Sequence, residues 1–552
     1  NFNPFITDVS TVRGQETGYC ALNPLHRLNA TLSENNLTAQ VDSSGTNYVV
    51  GNIAVTSGRW YWEFTPEGSN NMMLGAAEVN ANSYDISSGQ VFYYYVNGGN
   101  IWPPNSSYGS TLSNGDVLAV ALDMDAGTLT YYVNGVSLGV AFNSGLSGKT
   151  IVPSIGTGGG SGSITRCNFG QKPFKFPPPE GFQPLNTANT RPVKVISRPD
   201  QYVGITTWIG TGATNSITGL NFNAKPDFVW IKKRSGGSAR SHQLFDSIRG
   251  VHETLHSDDT SAEDTNSNRL TAFNRDGFTV GDDDGSNGSG GTFVAWCWRA
   301  GGSKNTFNVD GVGYASAAAA GLDGGSTNPT AASVNTKSKF GIYTFDGNSA
   351  NRTLSHGLGQ QPDFTIVKKK SASGNSWVVW HKEIANDKYL ILNNNNALDT
   401  DGTLFNTHTS DSNTLWTLGS NTSINETGQS SVAYLWCDVP GLQKFGKYEG
   451  NAEPTDGNYV HLGFRPAILI IKDIDSTGYW YITDSERNPT NDTTTSYVWA
   501  NANTAEQNDY SVDLLSDGFD LRASSGNLNA TRTYIYMAWA EAPSVDLYGG
   551  GA

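Results

Sequence analysis

Lys225-Pro226-Asp227-Phe228-Val229-Trp230-Ile231-Lys232-Lys233 reads as an apolar strand led by proline and closed by two basic residues. The pattern returns as Gln361-Pro362-Asp363-Phe364-Thr365-Ile366-Val367-Lys368-Lys369 and again as Arg465-Pro466-Ala467-Ile468-Leu469-Ile470-Ile471-Lys472. Proline at the first position is where a strand tolerates one. Roughly 70 residues after each copy comes an aromatic closing strand, a spacing that marks an array of one module. The closing strands are Phe293-Val294-Ala295-Trp296-Cys297, Val432-Ala433-Tyr434-Leu435-Trp436-Cys437 and Tyr534-Ile535-Tyr536-Met537-Ala538-Trp539. Duplicated modules serve spacing or multivalent contact, whereas an active site is normally built once.

Each module opens with a strand that ends in glycine, at Gly210, Gly347 and Gly450. The boundaries follow: an N-terminal arm over 1–17, a first domain over 18–186, a connection and module one over 187–301, module two over 339–441, module three over 442–543 and a tail over 544–552. Residues 302–338 are rich in Gly, Ala and Ser, too poor in large apolar side chains for a core of their own, and read as a linker or inserted loop. Modules two and three have hardly any linker and should touch. Two modules carry an Asp-x-x-Arg step, Asp246 to Arg249 and Asp484 to Arg487, where module two substitutes His381. Alignment on Trp296, Trp436 and Trp539 places Cys297 and Cys437 in one column with Ala540, a place that wants a small buried residue rather than redox or metal chemistry.

Sixty-three glycines, 21 prolines and 15% charged residues describe short strands joined by turns, and 11% aromatics argue against disorder. A net charge of −15 speaks against binding nucleic acid or an anionic membrane. No apolar run of about 18 residues is present to span a bilayer. Asn1-Phe2-Asn3-Pro4 starts no visible leader, and the missing Met suggests a trimmed or partial N-terminus. Four cysteines are no disulfide framework, and Cys20 and Cys167 read as two buried thiols. The expected fold class is all-β, a multi-domain string of antiparallel β-sandwiches.

In the first domain Trp60-Tyr61-Trp62-Glu63-Phe64 is an aromatic strand after the turn Ser57-Gly58. Asp116-Val117-Leu118-Ala119-Val120-Ala121-Leu122-Asp123, the turn Asp125-Ala126-Gly127 and Thr128-Leu129-Thr130-Tyr131-Tyr132-Val133 then form a hairpin. With Val152-Pro153-Ser154-Ile155 and the ending Asn168-Phe169-Gly170-Gln171-Lys172-Pro173-Phe174, these residues resemble the SPRY (B30.2-like) domain. The resemblance implies a two-sheet sandwich that binds partners through loops at one end and is not catalytic. Phe92-Tyr93-Tyr94-Tyr95-Val96 with Trp102-Pro103-Pro104 is the most aromatic stretch beside a loop, so Tyr93, Tyr94, Tyr95 and Trp102 are the candidate ligand contacts. Alternation places Tyr93 and Tyr95 on one face and Tyr94 on the other, so some of these rings must be core.

The SPRY-like domain followed by Pro-led and Ala-Trp-Cys modules over about 200–543 resembles virion appendage proteins of tailed phages, the marine and cyanophage types above all. That resemblance implies a non-enzymatic structural protein on the particle exterior, a tail fibre or tail-tip adhesin, oligomeric and trimeric by analogy. Its implied partners are other virion proteins and a host-surface glycan or protein receptor, with no cofactor, no nucleic acid and no membrane insertion. A head fibre or capsid-decoration protein is the alternative, and a polysaccharide-degrading appendage enzyme the third, since paired carboxylates distant in sequence can meet in a groove.

Other chemistry finds little footing. His252-Glu253-Thr254-Leu255-His256 has zinc-protease spacing but strand-like flanks, and on a strand i and i+4 lie about 13 Å apart. Asp282-Asp283-Asp284-Gly285 lacks the spacing of a calcium loop and reads as a solvated turn. No nucleophile elbow appears, and Gly156 to Gly162 lacks the Lys-Ser/Thr ending of a phosphate loop.

Overall fold

A computed structural model describes residues 9–10, 15–16, 18–41, 47–67, 71–81, 84, 89–157, 163–190, 195–405, 411–454 and 457–542. It divides into two compact units, one built mainly from the first 193 residues and the other from residues 194–458 and 462–547.

The first unit is an antiparallel sandwich. One sheet runs, edge to edge, Ser106–Ser107, Asn100–Trp102, Val91–Tyr95, Met72–Glu78, Ile151–Thr157, Tyr48–Gly51 and Leu22–Leu28. The other runs Val136–Phe142, Thr128–Val133, Leu118–Asp123, Arg59–Glu67, Ser163–Asn168, Thr38–Val41 and Ala30–Ser33. Period two decides what lies between them: Trp60, Trp62 and Phe64 enter the inter-sheet core, while Tyr61 packs on the far side against Phe174. Glu63 lies on that far side too, where its carboxylate accepts from the Lys175 and Phe176 amides at 3.0 Å each and ties the domain's closing segment to its central strand. Cys20 and Cys167 are free, buried thiols of the inter-sheet core, as expected.

In the second unit each module builds a four-stranded antiparallel order of opening, closing, proline-led and fourth strand. These are Val203–Ile209, Thr292–Trp298, Phe228–Ser235 and Gln243–Asp246 in module one. Their counterparts are Phe340–Asp346, Ser430–Trp436, Phe364–Lys369 and Trp377–His381 in module two, and Gln443–Glu449, Thr533–Ala540, Pro466–Asp473 and Tyr481–Asp484 in module three. Phe228, Phe364 and Ile468 face Trp298, Trp436 and Trp539. This register corrects the sequence alignment by two residues. The counterpart of Trp436 is Trp298 rather than Trp296, so Cys297 answers to Leu435 and Ala538, and Cys437 to Arg299 and Ala540. Both cysteines are buried as expected, but not in one column.

The segment 302–338 is not a linker. Its strand Ala331–Asn335 pairs with the opening strand of module two, and Phe307–Val309 and Val312–Tyr314 extend that sheet further. It needs no core of its own because Phe307, Leu322, Ala332 and Val334 join an existing one.

That core is common to all three modules. Trp298, Trp436 and Trp539 meet with ring centroids 6.3, 5.3 and 6.0 Å apart, each edge-on to the other two. Three equivalent residues that all touch one another lie about a pseudo-threefold axis. The junctions repeat accordingly. His242 Nε2 donates to Trp499 O (2.9 Å), Trp377 Nε1 to His256 O (2.7 Å) and Trp480 Nε1 to Ile391 O (2.9 Å), so module one reaches module three, two reaches one and three reaches two. Backbone bonds from Glu263 N to Lys370 O, Glu506 N to Arg234 O and Leu398 N to Ile474 O close the same circle.

The side chains at two junctions form matching charged networks. Asp246 accepts from Arg249 Nε (2.5 Å) and from Tyr434 of module two (2.7 Å), while Arg249 also pairs with Glu263, and Glu263 with Lys370 of module two. Asp484 accepts from Arg487 (2.6 Å) and from Trp296 of module one (2.9 Å), while Arg487 pairs with Glu506, and Glu506 with Arg234 of module one. At the third junction every member changes together. His381, Ile384, Leu398, Ile474 and Met537 stand in the places of the aspartate, arginine, glutamate, second cation and donor ring. With no donor on Met537, His381 Nε2 bonds the Tyr536 carbonyl instead (3.3 Å), and burial holds its pKa down to about 3, so the ring is neutral.

Within each module one asparagine, Asn287, Asn425 or Asn529, lies fully buried and accepts from the backbone amide of Thr211, Asn348 or Asn451. The glycine just before that amide, Gly210, Gly347 or Gly450, allows the close approach. A Cβ there would stand 2.0–2.1 Å from the carbonyl oxygen of the residue after the asparagine.

Candidate functional site

The aromatic stretch of the sandwich lies at one edge of the seven-stranded sheet, where Ile101 and Trp102 pair with Tyr94 and Tyr93. The alternation is as expected: Tyr94 enters the inter-sheet core, and Tyr93, Tyr95 and Trp102 join a cluster on the opposite face. Two of the four candidates are withdrawn by burial. Tyr93 and Tyr94 are both 0% exposed. Tyr93 shares a hydrogen bond with the Ser154 hydroxyl (2.6 Å), and Tyr94 donates to Ser110 O (2.5 Å) while packing edge-on against Tyr131 at 5.4 Å. Burial also raises the Tyr94 and Tyr131 pKa values, so both remain neutral phenols.

Tyr95 and Trp102 are half-buried and remain. The Tyr95 hydroxyl donates to Asn71 Oδ1 (2.8 Å), which also accepts from Asn97 Nδ2 (3.3 Å). The turn between the two strands folds back through Gly99 N to Tyr95 O (2.9 Å), and Gly99 at φ +70° sits where a Cβ would strike the Gly109–Ser110 backbone. Trp102 Nε1 is buried without a hydrogen-bond partner. The edge therefore offers two partly exposed rings beside side-chain amides, a surface suited to apolar stacking with polar orientation.

The motifs of the array are structural. Glu253–Thr254 of the His-Glu-x-x-His segment is a strand. His256 Nδ1 bonds His242 O (2.6 Å) and the Glu253 carboxylate accepts from Thr265, so the two imidazoles and the acid do not converge. In the acidic turn Asp283 caps a four-residue helix and accepts from Gln243 (2.8 Å), while Asp284 pairs with Lys233 and Arg240. Those carboxylates are neutralised by protein cations, so the turn is not simply solvated. Among the described residues no group of three His, Cys, Asp or Glu side chains is arranged to hold a metal.

The second basic position of the proline-led strand is also informative. Lys233 pairs with Asp284 and Lys369 with Glu426, whereas module three reverses the signs with Asp473 and Arg532. The first basic position, Lys232, Lys368 and Lys472, is buried in all three modules, each ammonium donating to backbone carbonyls such as Arg240 O, Asn375 O and Asp473 O. Burial lowers each of these pKa values from the ordinary 10.5 to about 8. Between those values the unfolded chain binds more protons than the folded one at these three lysines, which contributes stability that rises with pH from about 8 towards 10. That rise is opposed in part by buried Cys297 and Cys437, whose raised pKa values keep them protonated where unfolded thiols ionise. Buried Tyr343, Tyr434 and Tyr536, with raised pKa values, reverse the slope once unfolded tyrosines ionise near 10. Denaturant midpoints at closely spaced pH values check this, and Lys368→Met should flatten the rise.

Sequence reading missed Asn287, Asn425 and Asn529, as well as the junction partners Glu263 and Glu506. The asparagines were findable as an Asn recurring four or five residues before each closing strand.

Comparison with known proteins gives two assignments. A family model described as a domain of unknown function, DUF7483, matches residues 198–543. The SPRY domain model matches residues 59–172. Among curated relatives, the E3 ubiquitin-protein ligase RKP of Arabidopsis thaliana is 32% identical over 153 residues, 25% of this chain and 11% of that protein. Ran-binding protein 10 of Danio rerio is 29% identical over 160 residues, 26% of each chain. The matching segment is thus a small part of these relatives' length. Among solved structures, the SPRY domain of human HERC1 covers 28% of this chain and all of its own, with 20% identity and a TM-score of 0.26.

Proposed function

From a chain that belongs to the DUF7483 family through residues 198–543 and carries a SPRY domain before that region, we propose a non-catalytic attachment protein displayed on the exterior of a phage particle, at its tail. One observation carries the reading: the residues that recur among the modules are spent on building each module and on closing the ring. The axial tryptophans, the junction donors and the buried asparagines all face inward or face another module. The repeat is therefore a scaffold, and the unrepeated edge of the sandwich, with Tyr95, Trp102, Asn71 and Asn97, is the surface it presents to a host glycan or protein. One relative is named for binding a protein, and binding is the use we propose for the sandwich here.

Other virion proteins are the proposed structural partners. The module surfaces are mutually satisfied within one chain, so the homotrimer expected by analogy would form through other surfaces. Gold-labelled antibody against this chain should mark the particle tail in electron micrographs, and labelling of the head would replace the adhesin reading with a decoration role. Purified chain should bind host cells, and Trp102→Ala should weaken that binding by about 30-fold, the effect of losing a central aromatic contact. Unchanged binding would remove this edge from the interface.

A further inference from the structure

Because the modules are related by a pseudo-threefold axis, a position where one of them departs from the other two is informative. Two residues past the axial tryptophan, module two has Asp438 and module three Glu541. Asp438 pairs with Lys382, and Glu541 pairs with Arg465, the residue just before Pro466. Module one keeps the cation of module three, with Lys225 before Pro226, but has Ala300 in the acid's place. It also has Arg299 where the other modules have Cys437 and Ala540. Module one has therefore lost a carboxylate and gained a guanidinium at one end of its proline-led strand.

At that end lies a cavity of about 310 Å³ in the second unit, lined by Lys225, Arg299 and Lys304, by Asp227, and by Gly301, Gly302 and Ser303. Lys304 and the glycine-rich wall come from the inserted segment that follows module one. Gly302 and Gly311 there adopt φ of +90° and +83°, conformations that suit glycine. Asp227 is the one carboxylate in the lining, and its oxygens are engaged by Ser247 Oγ (2.7 Å), Ala300 N (2.8 Å) and Gly302 N (3.2 Å), so it organises the wall. Arg299 is oriented by a hydrogen bond from Nη1 to Phe222 O (3.0 Å). Among the described residues none of the three cations forms a salt bridge, in a chain of net charge −15.

We propose that this cavity binds a phosphate group, either inorganic phosphate or a phosphomonoester. Three cations against one carboxylate suit a compact dianion, and Arg and Lys are the side chains that recognise phosphate oxygens. No aromatic ring lines the cavity to stack on a sugar or a base, so the anionic group itself is what the site recognises. This inference is independent of the attachment reading.

Isothermal titration of the full chain with inorganic phosphate, glucose 6-phosphate, sulfate and acetate tests it. Saturable binding of inorganic phosphate, of glucose 6-phosphate or of both is expected, with acetate weaker. Tighter binding of the ester identifies a phosphomonoester site, and tighter binding of the free ion a phosphate site. Lys225→Gln, on an exposed side chain, should weaken binding about tenfold, as expected for one charge-assisted hydrogen bond. Ala300→Asp, which restores the acid of module two, should abolish it, and the exposed Lys337→Gln should leave it unchanged. Absence of binding by both phosphate probes, equal binding of acetate, or an affinity that Lys225→Gln leaves intact would overturn the proposal. The Lys225 variant decides the matter even where Ala300→Asp fails to fold.

Discussion

Arg249→Ala is expected to destabilise the second unit by about 3–5 kcal/mol, the usual consequence of removing one partner from a buried ion network. Arg249 is fully buried, and its loss leaves Asp246 and Glu263 without their shared cation and Tyr434 donating to an unbalanced carboxylate. The informative comparison is the fivefold exchange Asp246→His, Arg249→Ile, Glu263→Leu, Lys370→Ile and Tyr434→Met, which copies the junction between modules two and three. That variant should retain most of the stability that Arg249→Ala loses, because buried charged sets can be replaced by packed apolar ones at little net cost. Urea unfolding monitored by tryptophan fluorescence reads both. Since the first unit has its own core, the second unit's transition is the one to follow. A fivefold variant as unstable as the single one would mean that the third junction depends on more than these five positions.

Trp436→Ala should cost about as much, 3–5 kcal/mol by the range for deleting a large buried ring. Trp436 touches the other two axial tryptophans and stacks on Phe340 and Phe364 at 4.7 and 5.3 Å, so the cavity opens where three modules meet and no single one can close it. Trp436→Phe should cost markedly less. Equal effects of the two substitutions, measured in the same unfolding experiment, would show that the axis is not where the modules are held together.

Much of this was legible in the sequence. The proline-led strands, the opening glycines and the substitution of His381 for Asp246 and Asp484 all stand where alternation and spacing put them. The SPRY motifs likewise located the sandwich. The closing strands were misaligned for a physical reason. A slip of one residue exchanges the faces of a strand and is easily detected, but a slip of two preserves every inward and outward position. Trp296-Cys297 therefore passed for the partner of Trp436-Cys437, and the column that holds Ala300, Asp438 and Glu541 stayed hidden, with the cavity beside it. The insert was misread because composition reports whether a segment can bury a core alone, not whether it can add edge strands to a sheet that already has one. Of the four ring candidates, alternation separated Tyr94 from the rest, but only the cluster formed by distant strands shows that Tyr93 is covered too.

The unequal junctions have a consequence for how the chain finds its fold. Modules two and three follow one another with almost no intervening residues, so the polypeptide itself dictates that they meet, and there Ile384, Leu398, Ile474, Met537 and a neutral His381 take the place of the charged set. Module one must find module three across the whole array, and module two beyond an insert, and at those two seams the chain has a matched set of acid, arginine and donor ring. Where the tether names the neighbour, grease suffices. Where it does not, the buried charges act as an address, rejecting a docking of the wrong pair because a misplaced carboxylate would be left without its cation.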